Sequence, residues 1–209
     1  MITNIYIDGF NLYFSALRKS PNKWLNPEKL FTLLFPDDTI KRIKYFTARV
    51  KPRPDDPGQP VRQSTYLRAL ATVPSIEIIF GHYRSYAKWL PTAQSVRSGK
   101  KLKFVEVIKT DEKGSDVNLA AHLMSDAFKK DFEQGVVVSN DSDLVEPVRF
   151  VHDELGLRVG IANAYQYPGK SLTDNADFFR LIRQGVLAAS QFPDTLTDKI
   201  GTFAKPGNW

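Results

Sequence analysis

Short apolar segments alternate with helical segments about five times along this sequence, and this alternation limits the fold more than any other feature. Residues 2–7, 136–138 and 157–162 are mostly apolar or β-branched, which is typical of strands buried on both faces of a parallel sheet. Between such strands, apolar residues recur at helical spacing, most clearly over 115–129 and 142–155. We therefore predict an α/β fold, a Rossmann-like three-layer sandwich with a mostly parallel central sheet and helices on both faces.

The chain has 209 residues, which suits one α/β domain followed by a tail. We place the domain at 1–183. Within it, residues 81–110 combine aromatic and basic residues with an alternating apolar run, which predicts a β-hairpin excursion. Residues 184–209 contain prolines and glycines with weak periodicity, so we expect an extended C-terminal tail there.

Composition excludes several classes of protein. The chain has no cysteine, which excludes disulfides, zinc ribbons and thiol nucleophiles and favours a cytoplasmic location. No signal peptide is visible and no run of 18 apolar residues occurs, so no membrane partner is expected. Basic residues number 29 against 23 acidic ones, and the resulting net charge of +6 favours a polyanionic partner.

Four aspartates follow predicted strands or open predicted helices. Asp8 ends the first strand, Asp141 and Asp143 follow the strand at 136–138, and Asp116 opens a helix. The carboxyl ends of parallel strands meet at one edge of a sheet, where open α/β folds build their sites. Carboxylates gathered there repel one another unless a cation neutralises them. An oxygen-rich, cysteine-free set of ligands favours Mg²⁺ or Mn²⁺ over zinc, and such ions promote phosphodiester hydrolysis.

Each aspartate, taken alone, has a simpler structural explanation. Asp8 begins an Asp-Gly turn, and Asp116 and Asp141 stand where a helix cap is favoured. Capping does not require an aspartate at the end of the first strand, nor two acids two residues apart after another strand. The joint pattern therefore favours a metal site.

Three separated segments carry a resemblance to a known family. Residues 5–12 (IYIDGFNL), 113–119 (KGSDVNL) and 137–144 (VVSNDSDL) resemble the signature segments of the NYN domain, the LabA-like branch of the PIN-like nuclease superfamily. The likeness extends over about residues 1–183, where 172–179 resembles the closing motif. It implies a PIN-like fold and a Mg²⁺- or Mn²⁺-dependent endoribonuclease that hydrolyses RNA phosphodiester bonds with a metal-activated water.

The resemblance also implies roles for individual residues. The implied metal ligands, which are also the catalytic residues, are Asp8, Asp116, Asp141 and Asp143. The residues expected to bind substrate are Asn11, Lys113, Ser139 and Asn140. Lys113 adjoins Asp116 in sequence and is a candidate to contact the scissile phosphate.

Two groups of basic residues and several aromatic residues suit contact with RNA. The groups are Lys41, Arg42, Lys44, Arg49, Lys51 and Arg53 before and within a proline-rich loop, and Arg97, Lys100, Lys101 and Lys103 in the excursion. Tyr83, Tyr86 and Trp89 could stack on unpaired bases, which favours single-stranded RNA. The alternative is a solvated basic face with aromatic residues in the core.

Two further alternatives stay open at this point. The chain could be a non-catalytic RNA-binding or regulatory module that retains the acidic metal site. Sheet edges and helices in such folds often pair, so a homodimer is compatible with the sequence, but no sequence feature specifies one.

Overall fold

The protein is a three-layer α/β sandwich in a computed structural model that describes residues 1–97, 101–165, 169–207 and 209. Its strands and α-helices, in chain order, are β1 (Ile2–Asp8), α1 (Gly9–Leu12), α2 (Pro27–Leu34), β2 (Thr39–Thr47), α3 (Gln59–Leu70), β3 (Ile76–Phe80), β4 (His82–Pro91), α4 (Ala93–Arg97), β5 (Phe104–Lys113), α5 (Ser115–Phe128), β6 (Gln134–Val138), α6 (Val145–Arg149), β7 (Arg158–Asn163), α7 (Lys170–Thr173), β8 (Phe178–Leu181), α8 (Gln184–Ala189), β9 (Thr195–Asp198) and β10 (Gly201–Ala204). A π-helical turn over Tyr13–Leu17 continues α1.

The central sheet has six parallel strands in the order β3-β2-β1-β6-β7-β8. The two strands with the most buried sequences, β1 and β6, are neighbours at its centre. This arrangement confirms the predicted α/β sandwich. Because β1 and β6 are parallel, their carboxyl ends lie side by side at one edge of the sheet, where Asp8 ends β1.

The two faces of the sheet bury separate apolar clusters. Ile5 and Ile7 of β1 belong to the cluster on one face, together with Trp24. Tyr6, between them, belongs to the cluster on the other face with Leu123 of α5. Successive strand residues point to opposite faces, so a strand covered on both sides must be apolar at nearly every position. This explains the continuous apolar runs that mark β1 and β6 in the sequence.

The chain leaves the central sheet after β3 to form a separate β-hairpin. Strands β4 and β5 pair antiparallel, from His82 opposite Lys113 to Pro91 opposite Phe104. The short helix α4 lies in the connection, and residues 98–100 of that connection, including Lys100, lie outside the described residues. The hairpin returns the chain directly to the start of α5, so its base adjoins the edge of the sheet where β1 ends.

Residues 184–207 are folded onto the domain, which corrects the prediction of an extended tail. They form α8 and the antiparallel hairpin of β9 and β10. Leu187 and Phe192 are buried in the main apolar cluster. The indole N–H of Trp24 donates to the carbonyl of Pro193 at 2.8 Å, and Asp198 forms an ion pair with Arg68 of α3 at 2.7 Å. Elements of four to six residues are too short to show a clear period in the sequence.

The segment over 142–155 is helical, but it is not one α-helix. A 3₁₀ turn over Ser142–Leu144 precedes α6, and a π-helical turn over Phe150–Glu154 follows it. Pro147 has no N–H to donate to the carbonyl of residue 143, so a regular α-helix cannot start at residue 142 with all its hydrogen bonds. Among the described ranges, no helix is long and apolar enough to cross a membrane.

Candidate active site

An open cleft lies where the carboxyl end of β1, the loop after β6 and the start of α5 meet. Four carboxylates line it, and these are Asp8, Glu112, Asp116 and Asp141. Its other lining residues are Phe10, Asn11, Phe14, Arg53, Tyr83, Thr110, Ser115 and Tyr165. The cleft is therefore acidic at the sheet edge and carries aromatic side chains around the carboxylates.

Asp8 is nearly buried, with 6% of its surface exposed, and two hydrogen bonds fix its carboxylate. Its Oδ1 accepts from the backbone N–H of Asn11 at 2.9 Å, and its Oδ2 accepts from the hydroxyl of Ser139 at 3.0 Å. Burial raises the pKa of Asp8 above its ordinary value, the two hydrogen bonds act in the opposite direction, and the charge of Asp141 raises it further. The fold thus pre-orients a carboxylate whose charge is poorly solvated.

Ser139 and Asn140 form internal contacts and do not line the cleft. The Ser139 side chain is buried, and besides donating to Asp8 its oxygen accepts from the backbone N–H of Asp141 at 3.1 Å. The side-chain oxygen of Asn140 accepts from the backbone N–H of Gly169 at 2.7 Å. Both residues were predicted to bind substrate, and the structure uses both to hold the loop after β6 in place.

The two aspartates of that loop have different surroundings. Asp141 caps the 3₁₀ turn, since its Oδ1 accepts from the backbone N–H of Asp143 at 3.0 Å, and it also lines the cleft. Asp143 is exposed and is not among the lining residues. Capping and a place in the cleft are therefore compatible for Asp141. The charge of Asp143 contributes to the raised pKa of Asp116, although Asp143 does not line the cleft.

Asp116 lies in the first turn of α5. Gly114, with φ +97°, adopts the left-handed conformation that lets the chain turn from β5 into this helix. Burial, followed by the charges of Asp8, Asp141, Glu112 and Asp143, raises the pKa of Asp116 to about 6. Mutual repulsion of this kind is relieved when a cation binds among the carboxylates.

Lys113 and Asn11 have different positions relative to the cleft. Lys113 is exposed at the end of β5, opposite His82, and does not line the cleft. Its neighbour Glu112 does line the cleft, because successive residues of a strand point to opposite faces. Asn11 lines the cleft, and its backbone N–H holds Asp8. Of the four residues predicted to bind substrate, only Asn11 borders the cleft.

Glu112 is the carboxylate that sequence reasoning missed. It accepts from the hydroxyl of Ser115 at 2.7 Å and from the Ser115 backbone N–H at 3.3 Å, so it also caps the start of α5. The sequence gives one indication of this role: Glu112 is an acidic residue three positions before Ser115, the serine that begins the helix. Tyr165 and Thr110, which also line the cleft, carry no sequence signal.

Two residues of the predicted basic group around the proline-rich loop have opposite surroundings, while Lys41, Arg42, Arg49 and Lys51 are exposed and do not line the cleft. Arg53 lines the cleft and is the one cationic residue among its described lining residues. Lys44 is buried, and its ammonium lies 2.6 Å from the carboxylate of Asp126. Lys44 is therefore unavailable to phosphate, whereas Arg53 is placed beside the carboxylates.

The carboxylates of the cleft fit a hard divalent cation in their chemistry. All four donors are oxygen atoms, which Mg²⁺ and Mn²⁺ prefer. In the part of the chain that the structure describes, no three His, Cys, Asp or Glu side chains lie close enough to hold a metal ion together. Coordination by three carboxylates would therefore need their side chains to rotate towards a common point.

Comparison with known proteins places this geometry in context. The model of the NYN domain family matches residues 2–183. The 6-hydroxy-3-succinoylpyridine 3-monooxygenase HspA of Pseudomonas putida (strain DSM 28022 / S16) is 28% identical, over 99% of this chain and 75% of that protein. The crystal structure of a protein of unknown function from Vibrio parahaemolyticus RIMD 2210633 superposes with a TM-score of 0.57 at 16% identity, over 87% of this chain and 93% of that one. The last likeness supports the fold alone.

Proposed function

This chain belongs to the NYN domain family, within the PIN-like nuclease superfamily, and from that premise we propose that it is a divalent-metal-dependent endoribonuclease. NYN domains are in general nuclease-type hydrolases that depend on divalent metals and bind RNA. The observation that carries the proposal is the convergence of Asp8, Glu112, Asp116 and Asp141 on one cleft, where burial and then the charges of the neighbouring carboxylates raise the pKa of Asp116 to about 6.

In this proposal the carboxylates of the cleft hold the cation. A divalent ion bound there would polarise a phosphodiester and favour attack by water in line with the leaving oxygen. Asp8 presents one fixed carboxylate, since the Ser139 hydroxyl and the Asn11 backbone N–H hold both of its oxygens. Asp116 and Asp141 complete the ligand set from the first turn of α5 and the loop after β6, and Glu112 adds a fourth carboxylate from β5.

The remaining lining residues suit single-stranded RNA. Phe14 and Tyr165 are 52% and 44% exposed, and with Tyr83 they offer ring surfaces on which unpaired bases can stack. Arg53 is placed to neutralise a phosphate next to the carboxylates. An exposed ring is accessible to a splayed base but not to one inside a duplex, so a single strand is the favoured substrate.

The test is cleavage of labelled single-stranded RNA with Mn²⁺, with and without EDTA. We expect cleavage by the wild type and by the control Asp37→Asn, whose carboxylate is exposed and outside the cleft. Asp141→Asn should reduce the rate by at least about 100-fold, because it removes a metal ligand. Asp143→Asn should reduce it by less, because Asp143 does not line the cleft. Cleavage that survives both EDTA and Asp141→Asn would refute the mechanism, and RNA binding without cleavage would favour the non-catalytic module.

A second candidate is oxidation of a small heteroaromatic molecule. The observation that favours it is the match to HspA, named as a monooxygenase acting on a pyridine, over 99% of this chain. The test is oxygen consumption and substrate loss when the protein is incubated in air with 6-hydroxy-3-succinoylpyridine and a reductant. Turnover above the level of a protein-free control would support this candidate, and its absence under conditions in which RNA is cleaved would remove it.

A further inference from the structure

The hairpin of β4 and β5 carries most of the net positive charge of the chain. Its residues 82–113, which we call the arm, include eight basic and three acidic residues, a net charge of +5. The whole chain carries +6, so the rest of the sequence is close to neutral. Positive charge concentrated in one element points to a polyanionic partner for that element.

The register of the arm makes one of its faces a continuation of the cleft wall. Directly opposite residues of two paired strands share a face, and every second residue along a strand lies on that face. Tyr83 is opposite Glu112, and both line the cleft. Trp89 lies on the same face further along β4, opposite Glu106. At the rise of an antiparallel strand, Trp89 is roughly 20 Å beyond Tyr83 along the arm.

The outer part of this face exposes large apolar side chains. Trp89, Ile108 and Phe104 are 61%, 73% and 52% exposed. Ile108 and Phe104 lie two residues to either side of Glu106, so both are diagonal neighbours of Trp89. Glu106 is the one acid among the described residues of this outer part. Exposed apolar side chains gathered in this way mark an interaction surface.

The opposite face of the arm is occupied by contacts within the hairpin. The Tyr86 hydroxyl donates to the carboxylate of Asp111 at 3.0 Å, and the Lys109 ammonium forms an ion pair with the same carboxylate at 3.0 Å. Tyr86 is half-buried there, on the face away from Tyr83 and Trp89. Of the three rings that the sequence suggested for stacking, Tyr83 and Trp89 therefore share the face that continues the cleft.

We propose that the arm is a second binding site for single-stranded RNA and holds the strand where it leaves the cleft. A base stacks on the ring of Trp89, and Lys101 and Lys103, which are exposed next to Phe104, neutralise phosphates near the end of the arm. The proposal rests on the proposed function, since that function makes the cleft an RNA site. A positively charged element whose exposed ring continues the wall of the cleft suits a nucleic acid better than a protein or a membrane.

The test is binding of a labelled, unstructured RNA of about 20 nucleotides, a length that covers more than one typical single-strand site, to the full chain. Binding is measured by fluorescence anisotropy in EDTA, so that neither a metal ion nor cleavage is required. We expect the wild type to bind this RNA, and to bind it more weakly as the salt concentration rises. No binding at low salt would overturn the proposal.

Substitutions on the two faces of the arm tie the binding to stacking. Trp89→Ala should weaken binding at least about fivefold, because it removes a ring on which a base stacks. Trp89→Phe keeps a ring and should retain most of the affinity. The control is Val105→Ala, which shortens another exposed apolar side chain, on the opposite face of the arm, and should have no effect.

Substitutions of lysines test the phosphate contacts. The double variant Lys101→Gln/Lys103→Gln should lower the slope of log affinity against log salt concentration by about 1.4, the value for two phosphate contacts on a single strand. The matched control Lys29→Gln/Lys199→Gln removes two exposed lysines outside the arm and should leave the slope unchanged. Equal slopes in the first double variant and the wild type would overturn the assignment of these two lysines.

Three results would overturn the binding site on the arm as a whole. The first is equal affinity of Trp89→Ala and the wild type for the RNA, and the second is an equal loss in Val105→Ala. The third is binding that depends on Trp89 to vesicles of phosphatidylcholine and phosphatidylserine without binding to RNA, which would make the arm a membrane surface. The melting temperature of each variant is measured as well, and Trp89→Ala should leave it unchanged because the ring is mostly exposed.

Failure of the arm and failure of the nuclease give different results. A protein that cleaves RNA but binds it independently of Trp89 keeps the nuclease and loses the arm. A protein that binds RNA through Trp89 but does not cleave it keeps the arm and loses the nuclease.

Discussion

Replacing Asp116 by asparagine should make the metal-free protein more stable. The pKa of Asp116 is raised from 3.8 to about 6, first by burial and then by its acidic neighbours. At neutral pH a rise of this size corresponds to about 3 kcal/mol of destabilisation by the ionised carboxylate. The side chain is partly exposed, and solvent screening reduces that figure to roughly 1.5 kcal/mol. The variant also loses a negative charge that stabilises the N-terminus of α5, which offsets about 0.5 kcal/mol. The net increase in the free energy of unfolding is therefore about 1 kcal/mol.

The stability gained by Asp116→Asn should increase as the pH rises. Because the folded-state pKa of Asp116 is raised, the ionisation penalty is absent below about pH 3.8, grows as the pH rises, and is complete above about pH 6. The assay is urea unfolding of the wild type and Asp116→Asn at pH 4 and at pH 7.5, in EDTA. We expect Asp116→Asn to exceed the wild type in free energy of unfolding at pH 7.5, and the difference to shrink towards zero or reverse sign at pH 4.

A divalent cation should reverse the order of stability. Mn²⁺ should raise the free energy of unfolding of the wild type more than that of Asp116→Asn, since the variant has lost a ligand. A variant that is less stable than the wild type at pH 7.5 in EDTA would refute the claim that Asp116 is held among repelling carboxylates. So would a gain in stability that does not change between pH 4 and pH 7.5.

Two further predictions concern the surroundings of the site and the core. Gly9→Ala should lower the free energy of unfolding by about 1–3 kcal/mol, because its Cβ would lie 2.6 Å from the ring of Tyr45. Gly185→Ala is the control and should not destabilise the protein, because a Cβ there would have no atom within 4 Å. Urea unfolding compares the two variants directly, and equal stability would contradict the close packing at Gly9. Lys44→Met should lower the free energy of unfolding by about 3 kcal/mol, because it leaves Asp126 buried without its ion pair. The double variant Lys44→Met/Asp126→Asn removes the charge and keeps an acceptor for the Tyr6 hydroxyl, so it should recover part of that loss in the same assay. A single variant as stable as the wild type would contradict the buried pair.

Features carried by local pattern could be predicted from the sequence. The continuous apolar runs of β1 and β6 identify strands covered on both faces, and the α/β sandwich follows from them. Asp8, Asp116 and Asp141 each stand at a strand end or a helix start. The parallel strands β1 and β6 bring Asp8 and Asp141 to one cleft, and the hairpin of β4 and β5 returns the chain there at Asp116.

Features set by register or by distant contacts could not be predicted. Which of Glu112 and Lys113 faces the cleft depends on the pairing of β5 with β4, and an offset of one residue exchanges them. Trp209 packs against Trp24, with ring centroids 6.3 Å apart, only because α8 and the β9–β10 hairpin fold back towards Trp24. Their elements are too short for a period to show in the sequence.

The central claim is that the carboxylates of the cleft bind a divalent cation on which RNA cleavage depends. The most direct measurement is anomalous diffraction from a crystal soaked in Mn²⁺. We predict a peak within coordination distance of the carboxylates of Asp8, Asp116 and Asp141, and no such peak in crystals of Asp141→Asn. An empty cleft at a Mn²⁺ concentration that supports cleavage, or a peak that persists in the variant, would contradict the claim.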